Sequence, residues 1–573
     1  MSTAATQQRP PQQIMHPRWL GALQPNRLSA ARSFVAKMVR EQWDIQLVST
    51  EVDGQGNGTM VYRLDTPGGI MSFVAFVSEP RSVNRTSRII GSSWDMLGSL
   101  MDGEPDPARI EQNRRELPKL YAGRAPEGTL TWFRANQSVR LFEHVRERLA
   151  AGRQPETELV AEVGYLMRNT GLDGNGTFGT RDFRELGPDH PLSAPYHAQM
   201  LSAYLMRELS IDLVQHLAKL DHEGAATLSP AIRRGIAIGN GSALGLVLFA
   251  FNRPHLIGTL IGQYEMALAH ALDLPLTIDD PAWERLETLV NRSILYRQQD
   301  VGRYVTLPNG PQISSDLRSV KRLIDAARTS GAPRSLRVLE ESMNGMFLPE
   351  TIETIHAILL ELDPEATDSF LLADAVDESL LADGAQTIDA LRLDIQEHFD
   401  WALELQLADD HEANRVWYKS RDSEEPRCGP AGEVPEGTVD LAFDIPREIQ
   451  RLLGRIDRDS RFKTVGALLV ADPTLEQTVA HVQNLAELPY AIPRMDIKDD
   501  YLVPVHLIHL LNGFAFGLDK TVDRLERILR GVIFDGAPYR DELAGPEAAD
   551  WYWAPHHDTY ALPVIEAIQW SEK

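Results

Sequence analysis

The chain has 573 residues, of which 24% are charged and 43% hydrophobic, the composition of an ordinary globular protein with a buried core. Its 82 aspartates and glutamates outnumber its 57 lysines and arginines, so the formal net charge is −25 at pH 7. A diffuse negative field repels polyanions, which argues against nucleic acid or an anionic membrane as the main partner. A small anion remains compatible, because a local group of arginines dominates the potential within a Debye length of about 8 Å.

The single cysteine, Cys428, excludes a disulfide within the chain and a cysteine-based zinc cluster. The N-terminal segment is polar and rich in proline and glutamine, without the apolar stretch of a secretory signal. The most apolar run, 243–251, is much shorter than the ~20 residues that a transmembrane helix needs. These features predict a soluble, cytoplasmic protein that has no membrane partner.

The N-terminal part of the chain is expected to hold a flexible tail (1–25) followed by a small α+β unit (26–95). Apolar residues at helical spacing precede three short runs of β-branched and aromatic residues. The separators between the runs are rich in glycine and asparagine, which is typical of hairpin turns. The pattern predicts one helix beside a three-stranded antiparallel meander, and no other sheet. The three predicted strands are 45–48, 59–64 and 70–77.

The rest of the chain is expected to be helical, so the predicted fold class is mainly α: a large multi-helical body with the small N-terminal α+β unit. Apolar residues recur every three or four positions, in stripes wide enough to bury one face of each helix. The helical body is assigned to 96–405, and a long loop rich in proline, glycine and acids to 406–445. A C-terminal helical region with an aromatic tail is assigned to 446–573.

Two segments rich in glycine and asparagine, 168–181 and 239–245, are the best candidates for a binding site. Clustered glycines let backbone N–H groups converge on an anion, and asparagine and hydroxyl side chains add neutral donors. Neither segment is a phosphate-binding P-loop, and 168–181 is not expected to join a strand to a helix as a dinucleotide fingerprint does. The alternative is that the glycines only form tight turns or let helices approach closely. The predicted substrate-binding residues are Arg168, Asn169, Thr170, Asn175, Thr177, Arg233, Asn240, Ser242 and Arg427.

Histidine is the side chain best suited to proton transfer near neutral pH. Two histidines follow the first segment in the chain, and one follows the second. A second candidate region is the charged stretch 415–427, in which cationic side chains could hold an anion beside a tyrosine. Its alternative is a solvated surface loop. The predicted catalytic residues are His190, His197, His255 and Tyr418.

Aromatic residues, two histidines and an acid cluster at 551–558, but without the spacing of a known metal site, so no metal is predicted. The sequence as a whole predicts a cytoplasmic enzyme that acts on a small anionic metabolite, a carboxylate or a phosphate, without a cofactor. Lyase, hydrolase and transferase chemistry all fit. One alternative is a non-catalytic binding or assembly protein that meets a protein partner through its loops and aromatic tail. Another is an enzyme that binds a flavin or other cofactor without a recognisable motif, and a homo-oligomer is compatible with each.

Overall fold

The computed structural model describes the chain between residues 26 and 485 with gaps, together with Phe534 and Arg540. Within these residues no helix is both long enough and apolar enough to cross a membrane. The described ranges are 26–78, 94–117, 128–174, 186, 190–193, 197–239, 254–298, 310–329, 336–343, 345–370, 382–403, 415–420, 423–430, 445–485, 534 and 540.

A single curled sheet of seven strands spans residues 44–239. Its strands are β1 (Asp44–Val52), β2 (Gly58–Thr66), β3 (Gly69–Val77), β4 (Met96–Asp102), β5 (Thr129–Gln137), β6 (Tyr165–Gly174) and β7 (Ala237–Gly239). They lie in the sheet in the same order as in the chain. Each strand is antiparallel to its neighbours except at the end of the sheet, where β6 and β7 are parallel.

The prediction of a mainly α protein with a small N-terminal α+β unit is wrong, because the three predicted strands are only the first three of seven. β4 and β5 are buried along almost their whole length, and apolar and polar residues do not alternate along β4. β6 contains Gly171 and Gly174, which in the sequence predict turns. The segment assigned to a helical body, 96–405, therefore contains four strands of the sheet.

One long helix, α5, packs across one face of this sheet. At the β5 end the hydroxyls of Thr131 and Ser202 are hydrogen-bonded, and on β2 the Tyr62 hydroxyl donates to Asp212 at 2.7 Å. Ten helical residues advance ~15 Å, which is close to the ~14 Å of three strand spacings, so the helix crosses the strands instead of following them. Because it is covered by the sheet and by other helices, α5 carries apolar residues on every side. The helices of this region are α1 (Ala30–Arg40), α2 (Pro107–Glu116), α3 (Phe142–Ala150), α4 (Thr157–Val163), α5 (His197–Asp221) and α6 (Pro230–Arg234).

The opposite face of the sheet is covered in part by α2. Val61, Val74 and Met101 are buried there and pack with Phe76 and Ile110. The two faces of the sheet therefore each have their own apolar contacts, and the larger core lies on the α5 side.

A second apolar core lies among helices that follow the sheet in the chain, and it is built from residues between Ala271 and Leu359. The first five of these helices read as amphipathic in the sequence and bury apolar residues against their neighbours, whereas the short last one, Pro364–Ser369, buries Thr367. The helices are α7 (Pro254–Leu272), α8 (Pro281–Gln298), α9 (Gly310–Thr329), α10 (Leu336–Met343), α11 (Pro349–Leu359) and α12 (Pro364–Ser369).

The remaining described elements are helices and one hairpin. Thr387 and Thr464 each cap a helix, since their hydroxyls accept a hydrogen bond from the backbone N–H three residues further on. The hairpin lies in the segment that the sequence analysis assigns to a long loop, 406–445. The elements are α13 (Ile388–His398), α14 (Asp400–Leu403), β8 (Arg415–Ser420), β9 (Ser423–Pro430), α15 (Ile445–Arg458), α16 (Val465–Ala471), a 3-10 helix (Pro473–Leu475) and α17 (Glu476–Leu485).

A buried group of charges connects the start of α1 to the second core, and we name it the Arg27–Glu361 network. The Arg27 guanidinium donates to Glu361 at 2.9 Å and to both oxygens of Asp368 at 2.8 and 2.7 Å. Arg32 adds a bond to Asp368 at 2.9 Å, and Arg285 donates to the Glu361 carbonyl at 2.7 Å. Residues more than 330 positions apart are thereby held together. The members of the network are Arg27, Arg32, Arg285, Glu361 and Asp368.

Candidate functional site

One stripe of α5 carries Tyr204, Glu208 and Asp212, which follow one another at intervals of four residues and so share a face of the helix. Tyr204 is fully buried, and its side chain is hydrogen-bonded to the Glu208 carboxyl. From the sheet, the hydroxyl of the buried Tyr62 donates to Asp212 Oδ2 at 2.7 Å. Two carboxyl groups therefore lie one helical turn apart, and each is bonded to a buried tyrosine.

Three basic side chains act electrostatically on these carboxyls. Arg233 acts on both of them, Arg540 on Glu208, and Lys219 on Asp212. Arg233 lies on α6, and the segment that follows α6 is fixed to α5 because Arg207 Nε donates to the Ile236 carbonyl at 2.8 Å. We name this group the Glu208 site. Its members are Tyr62, Tyr204, Glu208, Asp212, Arg233 and Arg540.

The surroundings of Glu208 raise its pKa to about 7. Desolvation by burial is the largest cause, and the nearby negative charge of Asp212 acts in the same direction. The hydrogen bond from Tyr204 and the charges of Arg233 and Arg540 lower the pKa but do not cancel the effect of burial. The residue keeps partial solvent exposure. Glu208 is thus a carboxyl that changes its protonation state near neutral pH and that remains within reach of solvent.

Asp212 experiences a similar balance. Desolvation raises its pKa, whereas the Tyr62 hydrogen bond and the positive charges of Arg233 and Lys219 lower it. The Tyr62 bond also fixes the orientation of the carboxyl. A carboxyl pair in which a basic residue faces both members and one pKa lies near 7 is an arrangement suited to moving protons.

The C-terminal part of the chain reaches the same site through the two residues that are described there. The Arg540 backbone N–H donates to Tyr204 Oη at 3.2 Å. The Phe534 ring lies edge-on to the Tyr204 ring, with 5.6 Å between centroids, and it is fully buried in the core on this side of the sheet. Phe534 has a φ of 59°, a left-handed backbone conformation that is unfavourable for a bulky residue.

Of the predicted substrate-binding residues, Arg233 lies in the Glu208 site, whereas Arg168 and Asn169 lie on β6. Arg168 pairs with Gly239 of β7, so the two glycine- and asparagine-rich segments adjoin where the second one begins. A Cβ on Gly239 would lie within 2.8 Å of the Tyr165 ring, so this glycine permits close packing of the sheet edge. β6 and the parallel β7 are connected through α5 and α6, so the first segment begins in a strand–helix–strand unit that the sequence analysis did not expect, and its residues from 175 onward lie outside the described ranges.

Two of the predicted catalytic histidines have side chains with other partners. His190 Nε2 lies 3.5 Å from Asp102 at the end of β4, and its Nδ1 accepts from the Leu192 backbone N–H at 3.1 Å. Burial lowers the pKa of His190, although the Asp102 charge acts against this. His197 begins α5, and its ring packs edge-on against Phe34 at 5.1 Å. Eleven helical residues separate it from Glu208, a distance of ~16 Å along the axis.

The other predicted residues are described in part or not at all. Tyr418 and Arg427 are directly opposite each other in the β8–β9 hairpin, and His255 lies on α7, but their side chains are outside the description. The same holds for Thr170, whose backbone belongs to β6. Among the side chains that the structure does describe, no group of three His, Cys, Asp or Glu residues is arranged to hold a metal ion. The residues that lie outside the described ranges are Asn175, Thr177, Asn240 and Ser242.

Sequence reasoning missed the residues at the centre of the site, Tyr62, Tyr204, Glu208 and Asp212. One signal was present: two acids stand one turn apart in a helix that has apolar residues on all sides. Buried acids are rare without a partner or a function, so this pair of acids could have been proposed as site residues from the sequence. No protein-family model, no curated protein and no solved structure matches this chain.

Proposed function

We propose that the protein is a cytoplasmic enzyme that transfers a proton to or from a small anionic metabolite at the Glu208 site. The observation that supports this is the Glu208 carboxyl, partly exposed and with its pKa raised to about 7. General acids and bases work best when their pKa lies near the working pH, because both protonation states are then populated. Carboxyls perturbed in this way are found preferentially at functional sites.

Five of the six members of the site have a role in this proposal. Glu208 gives or takes the proton, and the hydrogen bond from Tyr204 orients it. Asp212, held by Tyr62, supplies a second carboxyl on the same stripe. Arg233 holds the carboxylate or phosphate of the metabolite, since a guanidinium pairs with both oxygens of such a group. Proton transfer by a carboxyl serves lyases, hydrolases and transferases alike, so the proposal covers all three classes.

Turnover by the purified protein tests the proposal. The protein is incubated with a mixture of small carboxylates and phosphorylated metabolites, and mass spectrometry follows which compounds disappear. Wild type is expected to consume at least one anionic compound, and Glu208→Gln to slow this by about 10²- to 10⁴-fold, the usual contribution of a general acid or base. The matched control is Glu223→Gln at an exposed position just after α5.

Two outcomes would contradict the proposal. Consumption at the wild-type rate by Glu208→Gln would remove Glu208 from the reaction. Binding of an anionic compound without any conversion would favour the alternative of a non-catalytic binding protein. Loss of activity in Glu223→Gln as well would attribute the effect to the general charge of this region instead of to Glu208.

A further inference from the structure

The C-terminal part of the chain supplies residues that meet Tyr204 from two directions. The Phe534 ring packs edge-on against the Tyr204 ring with 5.6 Å between centroids, and the Arg540 backbone N–H donates to the Tyr204 hydroxyl at 3.2 Å. Tyr204 in turn is hydrogen-bonded to Glu208. Two hydrogen bonds therefore link the Arg540 backbone to the Glu208 carboxyl, by way of Tyr204. Arg540 and Tyr204 are 336 positions apart in the chain.

Phe534 fixes the chain beside Tyr204. Its φ of 59° is a conformation that an aromatic residue adopts only where its surroundings impose it. The packing of the Phe534 ring accounts for this conformation, because the ring is fully buried in the main core beside Tyr204. The backbone is thus fixed six residues before Arg540, and strain that packing sustains in this way concentrates at functional sites.

The charged groups that face Glu208 come from three parts of the chain. Asp212 lies on the same helix, Arg233 comes from α6, and Arg540 comes from the C-terminal part. The donor to Tyr204 is the Arg540 backbone N–H, so the Arg540 guanidinium takes no part in that hydrogen bond. Two arginines face one carboxyl pair, and one member of the pair gains a proton near neutral pH. The positive charge of the site is then in excess, which suits an anion.

We propose that Arg540 is the specificity-determining residue of the Glu208 site and that it binds the anionic group of the substrate together with Arg233. This inference rests on the proposed function. The ligand class is a small carboxylate or phosphate, since a guanidinium group pairs with the oxygens of such a group. The site is then complete only when the C-terminal part of the chain is in place.

The test uses full-length wild type, Arg540→Met and Arg540→Lys, which all keep the backbone bond to Tyr204. Infrared difference titration measures the pKa of Glu208, and Glu208→Gln identifies its band. Calorimetry measures the Kd of inorganic phosphate. Arg540→Met is expected to raise the pKa of Glu208, because a nearby positive charge is lost, and to weaken phosphate binding about tenfold or more. Arg540→Lys is expected to keep the pKa and part of the affinity, because it keeps the charge but loses the two-point contact.

The outcomes separate this inference from the proposed function. If Glu208 titrates near 7 in both wild type and Arg540→Met, and both bind phosphate equally, Arg540 has no role while Glu208 keeps its own. If Glu208 of wild type titrates near 4.5, both proposals fail. Absence of phosphate binding by wild type would also overturn the role of Arg540. Equal loss of affinity in the Lys and Met variants, with an unchanged pKa, would assign the effect to packing and would refute the charge argument.

Discussion

Replacing Glu361 with glutamine should stabilise the protein at pH 8 and have little effect at pH 5. Glu361 is completely buried, and only its Oε2 accepts a bond from Arg27, at 2.9 Å. Its Oε1 has no hydrogen-bond partner within the described part of the chain. Glutamine has the shape of the protonated acid, and Arg27 keeps both bonds to Asp368 after the substitution. The change therefore removes a buried negative charge without leaving a buried positive charge unpaired.

The magnitude follows from the pKa of Glu361. Desolvation raises it from the ordinary 4.5 to about 7, although Arg27, Arg32 and Arg285 all act to lower it. The folded state thus binds more protons than the unfolded state between pH 4.5 and pH 7, so stability falls as the pH rises through this window. At about 1.36 kcal/mol per unit, the ionised carboxyl costs about 3 kcal/mol once the pH exceeds 7. The cost is below about 1 kcal/mol at pH 5.

Hydrogen exchange followed by mass spectrometry measures this difference where it arises, in peptides that cover 26–32 and 364–370. At pH 8, Glu361→Gln should slow exchange there by roughly a hundredfold relative to wild type, which corresponds to about 3 kcal/mol of local opening. At pH 5 the two proteins should differ by only a few-fold. Glu341→Gln, at an exposed position on α10, is the matched control. Faster exchange in Glu361→Gln at pH 8 would show that the arginines outweigh desolvation, and would refute the reasoning.

Two further predictions concern backbone and packing. Phe534→Ala and Phe534→Gly both remove a buried ring, a loss of ~3–5 kcal/mol. Glycine should be the less damaging by about 1 kcal/mol, because the positive φ strains alanine only, and the opposite order in urea unfolding would contradict this. Gly98→Ala should cost ~3 kcal/mol or more, or prevent folding, because its Cβ would lie 2.2 Å from the Phe133 ring and 2.5 Å from the Val74 carbonyl. Gly54→Ala, with nothing within 4 Å, should change soluble yield and unfolding little, and equal behaviour of both variants would count against the packing argument.

The sequence was sufficient for the parts of the sheet that depend on neighbouring residues. The β2–β3 hairpin pairs Thr66 with Gly69, and the turn between them has the glycine and proline pattern that predicts it. β4 and β5 depend instead on distant parts of the chain. Gly98 is a glycine because the Phe133 ring occupies the place of a side chain, and no local pattern distinguishes that reason from a turn.

The candidate site also combines a residue that the local sequence indicates with residues that depend on distant parts of the chain. Arg233 was proposed from local charge beside a glycine-rich segment, and it lies in the Glu208 site. Glu208 was not proposed, although it stands one turn from Asp212 in a helix with apolar residues on all sides, because the chain has 82 acidic residues and this pair was not singled out among them. Its chemistry arises because α5 crosses the sheet and buries it. The contact between Arg540 and Tyr204 joins residues 336 positions apart, and sequence spacing cannot predict such a contact.

The Arg27–Glu361 network also joins residues that are synthesised at very different times. Arg27 and Glu361 are separated by 334 residues. At about 5–20 residues per second, a ribosome needs roughly 17–67 s to make the second after the first. Throughout that interval the guanidinium groups of Arg27 and Arg32 have no carboxylate from this network to pair with. The contact between the start of α1 and the second core can therefore form only after residues 361–368 have been synthesised.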